Sequence, residues 1–129
     1  LIGVHNYAYS LSKLGDGDVP QEELDALPPC AHPILRVHPG TGKPSLFVSG
    51  HIESINGMAI DEGRRLAEQL VQWCTRPQYV YSHEWATHDL VMWDNRCALH
   101  RASMIPQREV RRAHRTTVVG EGPVEALHE

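Results

Sequence analysis

Cysteine is scarce and poorly placed for cross-linking. Cys30, Cys74 and Cys97 lie far apart and no CxxC pair occurs. An odd count at wide spacing excludes a disulfide framework, and it reads as reduced thiols in a cytoplasmic protein. The same spacing gives little support to a structural zinc built from thiols and histidines. Long apolar runs are missing too. None approaches the ~20 residues needed to cross a bilayer, and "LIGVHNYAYS" lacks the basic-then-apolar pattern of a secretory leader. There is no excess of positive charge: the formal net charge of -4 gives no general pull toward nucleic acid or an anionic membrane. Any basic site must be local. Internal repeats, low-complexity stretches and long linkers are also absent. The first residue is Leu, not Met, so the chain reads as a processed or partial product.

What is present has the balance of an ordinary globular protein, and 129 residues suit a single domain, 1–129. Residues 4–14, "VHNYAYSLSKL", predict a short helix ending at Gly15. A loop and one or two helical turns follow, with Asp18 as a cap and Pro28-Pro29 as the stop. "HPILRVHP" alternates like a strand, "PGTGKP" is a turn, and "SLFVSG" is the returning strand. Asp61 to Cys74 is the clearest helix, with Leu66, Leu70 and Trp73 on one apolar face and Asp61 and Glu62 at its positive end. "QYVYSHEW" and "DLVMWD", joined by "ATH", predict a second hairpin. "VRRAHRTTVVG" predicts a last strand. Alternating strands with one long helix argue for an α+β fold with a mainly antiparallel sheet.

Nine histidines are dispersed along the chain. The stretch "DLVMWDNRCALHR" runs an apolar strand into an Asp94-Asn95 turn and then delivers His100. A plain hairpin corner with an incidental histidine explains this pattern; so does a metal ligand. Arg111 and Arg115, four apart in a strand, would project from one face. A planar guanidinium grips a carboxylate through two parallel hydrogen bonds, so the pair could clamp anions. A solvated basic edge strand is the plainer alternative.

"HDLVMWDNRCALHRAS" followed by "REVRRAHRTTVVG" resembles the C-terminal half of the taurine/2,4-dichlorophenoxyacetate dioxygenase family. The resemblance extends back through "ALPPCAHPILRVHPGTGKPSLFVSGHIESINGMAIDEGRRLAEQLVQWCTRPQYVYSHEW", and "HNYAYSLSKLG" has a counterpart as well. It implies the C-terminal portion of an Fe(II)- and 2-oxoglutarate-dependent dioxygenase. The fold implied is part of a double-stranded β-helix, or jelly roll, with flanking helices. Such enzymes hold iron on a two-histidine, one-carboxylate triad. They couple O2 and 2-oxoglutarate to hydroxylation of a substrate, releasing succinate and CO2. By position, His100 resembles the distal iron-binding histidine and Arg111 the clamp on 2-oxoglutarate. Arg115 resembles the receptor for the substrate's anionic group. His51, after "FVSG", falls where the family places a substrate-pocket side chain, though a loop histidine explains it equally. The implied substrate is a small anion, phenoxyalkanoate- or sulfonate-like.

The chain departs from the family pattern in one respect. The upstream HxD/E metal motif is not recognisable. "HIE", His51 to Glu53, has the right letters but aligns with the pocket loop. Half a site is therefore expected, together with homo-oligomerisation or association with an N-terminal segment to cover open strand faces. A non-enzymatic alternative is a dicarboxylate-binding or oligomerisation module.

Overall fold

The computed structural model describes residues 1–14, 20–103 and 112–120. Strand β1 spans Ile2–His5, and helix α1 follows over Tyr7–Leu14. Helix α2 covers Gln21–Ala26. Strands β2 (Cys30–Pro33), β3 (Leu35–Val37), β4 (Pro44–Leu46) and β5 (Ile52–Ile55) precede helix α3 (Ile60–Cys74). A short 3-10 turn at Pro77–Tyr79 closes the regular structure among the described residues. The α+β expectation holds. β1 is the central strand of a three-stranded antiparallel sheet ordered β2-β1-β5, and β3 pairs antiparallel with β4.

The first predicted helix begins later than its sequence pattern suggests. Val4 and His5 belong to β1. Asn6 then caps α1, its side-chain oxygen accepting from the N–H of Ala8 (2.9 Å) and Tyr9 (3.4 Å). The predicted strand "HPILRVHP" is divided at Ile34. The Ile34 N–H donates to the Leu1 carbonyl and its own carbonyl accepts from Phe47 N–H, so this one residue is bonded toward both sheets. The hairpin that follows forms as expected, its turn closed by Gly42 N–H on the His38 carbonyl with Gly42 at φ +66. The expected Asp18 cap lies outside the described residues.

β5 has no counterpart in the sequence-based expectation, yet it carries the core. Ile52, Ile55 and Val48 are fully buried, with Ile34 and Ala67 beside them. Each such aliphatic side chain contributes about 1.5–3 kcal/mol on leaving water. α3 lies against β5 through Gly63 and Ala67, flanked by Leu66, Leu70, Val71 and Cys74. These positions form a single stripe at helical spacing. Trp73 sits beside that stripe, not on it. It is 45% exposed, and its ring meets Tyr79 at 5.2 Å.

The second predicted hairpin and the last predicted strand do not form among the described residues. Residues 80–103 and 112–120 carry no regular strand. The "ATH" turn exists, with Asp89 N–H on the Ala86 carbonyl, but its flanks do not pair. A strand is held by the partner that takes its backbone hydrogen bonds, and no described segment takes them here. Tyr81, Leu90, Met92, Val118 and Val119 are consequently more than four-fifths exposed.

Candidate functional site

His51 opens the turn into β5. Its carbonyl accepts from Asn6 N–H at 2.8 Å, which ties it to the end of β1. His5 pairs with Ile52 across the β1–β5 ladder, so two histidines 46 positions apart in the chain come to one edge. With Asn6, Tyr7, Leu27 and Cys30 they line a cleft of about 490 Å³. Pro28-Pro29, the helix stop read from sequence, forms part of its wall. The cleft therefore has apolar walls and imidazole, amide, phenol and thiol groups.

Beneath it lies a ring cluster. The His5 ring centroid is 5.0 Å from Phe47 and 5.6 Å from His32. The buried Arg36 guanidinium covers the Phe47 ring at 3.4 Å, and its Nε donates to the Pro33 carbonyl at 3.3 Å. His5 Nε2 is buried without a hydrogen-bond partner. Burial, reinforced by the positive character of His32, Arg36 and His51, pushes His5 down to about 4. Burial and then Arg36 lower His32 as well. Both imidazoles are neutral at neutral pH.

His100 is exposed. Its ring lies 4.9 Å from that of Trp93, whose indole N–H donates to Asn95 Oδ1 at 2.9 Å. The turn before it is dense with hydrogen bonds. The Asp94 carbonyl accepts from Cys97 N–H (3.2 Å) and Ala98 N–H (3.0 Å). The Asp94 carboxylate accepts from Arg96 N–H and Nε, each at 2.9 Å, and from the Arg96 terminal nitrogen at 2.6 Å. His38 Nε2 meets the same carboxylate at 3.0 Å. Arg96 first, then His38, hold the Asp94 carboxyl well below the usual carboxylate range.

His38, Asp94 and Cys97 are also the one group of three metal-capable side chains among the described residues, their donor atoms within 4.8 Å of one another. Arg96 already neutralises the carboxylate, so this arrangement is a hydrogen-bonded clamp and a poor cation site. His51, Glu53 and His100 form no such group. Glu53 Oε2 instead accepts from Asn6 Nδ2 at 2.8 Å, and Glu53 sits within β5, so the "HIE" pattern is a strand and not a metal motif. His100 belongs to no metal-capable group among the described residues. The described residues gather no second and third ligand around it.

Arg115 lies in the exposed stretch 112–120. Arg111 lies outside the described residues. No hydrogen bond or ion pair among the described residues joins His51, His100 and Arg115 to one another. Sequence reasoning missed His5, Asn6, Tyr7 and Cys30 as neighbours of His51. The β1–β5 pairing brings His51 to His5 and the β1–β2 pairing brings Cys30 there, and neither β1 nor β5 is marked by its own sequence pattern.

The model for the taurine catabolism dioxygenase TauD, TfdA family matches residues 1–117. The chain belongs to this family. It is 41% identical over 112 residues to an alpha-ketoglutarate-dependent 2,4-dichlorophenoxyacetate dioxygenase of Burkholderia sp. (strain RASC), covering 84% of this chain and 38% of that protein. It is also 41% identical over 103 residues to an (S)-phenoxypropionate/alpha-ketoglutarate-dioxygenase of Delftia acidovorans, covering 76% of this chain and 35% of that one. Among solved structures, one from Burkholderia xenovorans, described as an alpha-ketoglutarate dependent 2,4-D dioxygenase, superposes with a TM-score of 0.72 at 43% identity, over 75% of this chain and 38% of its own. AAD-2 in complex with Mn(II) and N-oxalylglycine gives 0.68 at 39% identity, with the same coverage. The chain thus spans less than half the length of these relatives. No described helix is long and apolar enough to cross a membrane.

Proposed function

We propose that this chain forms part of an Fe(II)- and 2-oxoglutarate-dependent dioxygenase that hydroxylates a small anionic substrate, phenoxyalkanoate- or sulfonate-like, with release of succinate and CO2. Its strands would then be part of a jelly roll. The observation that carries the reading is the family match over residues 1–117, a span that contains His51, His100, Arg111 and Arg115. Relatives named for phenoxy acids at about 40% identity support the substrate class. A relative crystallised with a divalent metal and a dicarboxylate supports the cofactor set.

In this reading His100 would offer an imidazole nitrogen to iron, with the Trp93 ring beside it to orient it. Arg111 holds the far carboxylate of 2-oxoglutarate, and Arg115 receives the anionic group of the substrate. His51 lines the cleft in which the substrate body lies. Iron with 2-oxoglutarate, when bound, would supply the oxidative chemistry. The residues of this chain bind, orient and exclude water, and orientation alone is a large part of catalysis when a single C–H bond must face the metal.

The test grafts residues 1–117 in place of the matching stretch of the Burkholderia 2,4-dichlorophenoxyacetate dioxygenase. Arg111→Ala in the graft should raise the 2-oxoglutarate requirement roughly ten- to a hundred-fold, the ~1.5–3 kcal/mol of a charged hydrogen bond. An unchanged requirement rejects the clamp. Arg115→Ala should weaken the primary substrate and spare uncoupled 2-oxoglutarate turnover. Equal loss of both would mean the two arginines are misassigned.

A further inference from the structure

Among the described residues, residues 80–103 pair with no strand, so side-chain hydrogen bonds tie the segment that delivers His100 to the sheets. Two hydrogen bonds from the β3–β4 hairpin reach this segment. Ser45 Oγ donates to the Arg96 carbonyl at 3.3 Å across 51 positions. His38 Nε2 meets Asp94 Oδ2 at 3.0 Å across 56 positions, and only 12% of the His38 side chain is exposed.

We propose that His38 is a positioning residue for His100. It anchors the Asp94 turn to the hairpin and so sets the place from which the chain runs to the histidine. The functional meaning rests on the reading of His100 as an iron ligand.

The geometry separates two tasks that Asp94 performs at once. Its bonds with Arg96, two positions away, and with the N–H groups of Cys97 and Ala98 are local. They make the turn but place it nowhere. The bond to His38 is long-range and makes no turn. His38 is itself held at both nitrogens. Thr41 Oγ1 lies 3.2 Å from Nδ1, and the backbone of His38 closes the hairpin with Lys43 at 2.9 Å. A ring fixed at Nδ1 and aimed by a closed turn presents Nε2 in one direction only. Asp94 accepts, so Nε2 must carry the proton. Nδ1 then accepts from the Thr41 hydroxyl when the ring is neutral.

Nuclear magnetic resonance of the 129-residue chain tests this without metal or cosubstrate. In the unaltered protein the cross-relaxation contact between Ser45 and Arg96, across the junction of hairpin and turn, should be present. The His38 ring should carry its proton on Nε2. A His38 ring protonated on Nδ1 alone would overturn the proposal, since two acceptors cannot bond. His38→Ala should remove the Ser45–Arg96 contact, because the turn then loses its anchor on the hairpin. The Trp93–His100 contact, internal to the segment, and the β1–β5 and α3 amide protection should persist. His38→Gln, whose amide nitrogen can donate to Asp94, should restore the Ser45–Arg96 contact. A Ser45–Arg96 contact of full strength in a folded His38→Ala chain overturns the proposal. Should His100 prove not to bind iron, these signals are unaffected, so the two failures are distinct.

Discussion

At the residue scale, burial of the cleft histidine His5 makes the stability of the fold depend on pH. Its pKa falls from 6.5 to about 4 through burial, then the nearby His32, Arg36 and His51. A depressed histidine is neutral in the folded protein while the unfolded chain takes up a proton near 6.5. The folded state therefore binds fewer protons between these values, and stability drops as pH falls from about 6.5 to about 4. His5→Phe keeps a ring beside Phe47 and removes the titration. Thermal unfolding across this window should show a shallower slope in the variant, with His32 leaving some residue because it is lowered too. An unaltered slope would mean His5 is not buried as described. Asp94 acts in the same direction at lower pH: its folded pKa is depressed by Arg96 and His38, so its contribution is present above the ordinary carboxylate range and is lost as pH falls below it. At position 88 the backbone takes φ 75 with a histidine, a conformation that costs an L side chain about 1 kcal/mol. His88→Gly removes that strain but adds freedom to the unfolded chain. The expected net gain is roughly 0.5 kcal/mol in chemical denaturation, and a loss would show that the His88 side chain makes a compensating contact.

At the element scale, the contact between α3 and β5 closes the core around Ile55 and Ala67. Gly63 is what permits it. A Cβ there would stand 3.0 Å from the Ile55 nitrogen and 3.3 Å from its Cβ, and backbone cannot swing aside as a flexible side chain can. Gly63→Ala gains helix propensity of about 1 kcal/mol, yet overpacking costs about 1–3 kcal/mol. The net expectation is a loss of about 1 kcal/mol, read from denaturant unfolding. A stabilised variant would mean α3 has room to move. Elements of this kind divide what the sequence makes legible from what it hides. α3 is readable because its own apolar spacing and its flanking Asp61, Glu62 and Pro77 agree. The β3–β4 hairpin is readable because "PGTGKP" supplies the turn. β1 is hidden because "VHNYAYS" suits a helix equally, and only pairing on both sides makes Ile2–His5 a strand. β5 is hidden because four residues with a buried residue at each end show no alternation.

At the scale of the whole molecule, the candidate site is split between what motif can show and what packing must supply. "WDNRCALH" is legible as a unit because its contacts are local. The grip of His38 on Asp94 and the meeting of His5 with His51 are not, because each joins segments more than 40 positions apart through sheet topology. Leu90, Met92, Val118 and Val119 lie outside any described strand and are exposed, so the strand-like pattern of their sequence is not matched by pairing among the described residues. The central claim is that His100 binds the iron to which 2-oxoglutarate chelates. The most direct test is an anaerobic titration with Fe(II) and 2-oxoglutarate of the graft carrying residues 1–117, followed at the charge-transfer absorption of the chelate, beside the same graft with His100→Ala. The account predicts the absorption in the first and its loss in the second, with both proteins folded. An absorption of equal strength after His100→Ala, or none in the folded parent graft, contradicts it.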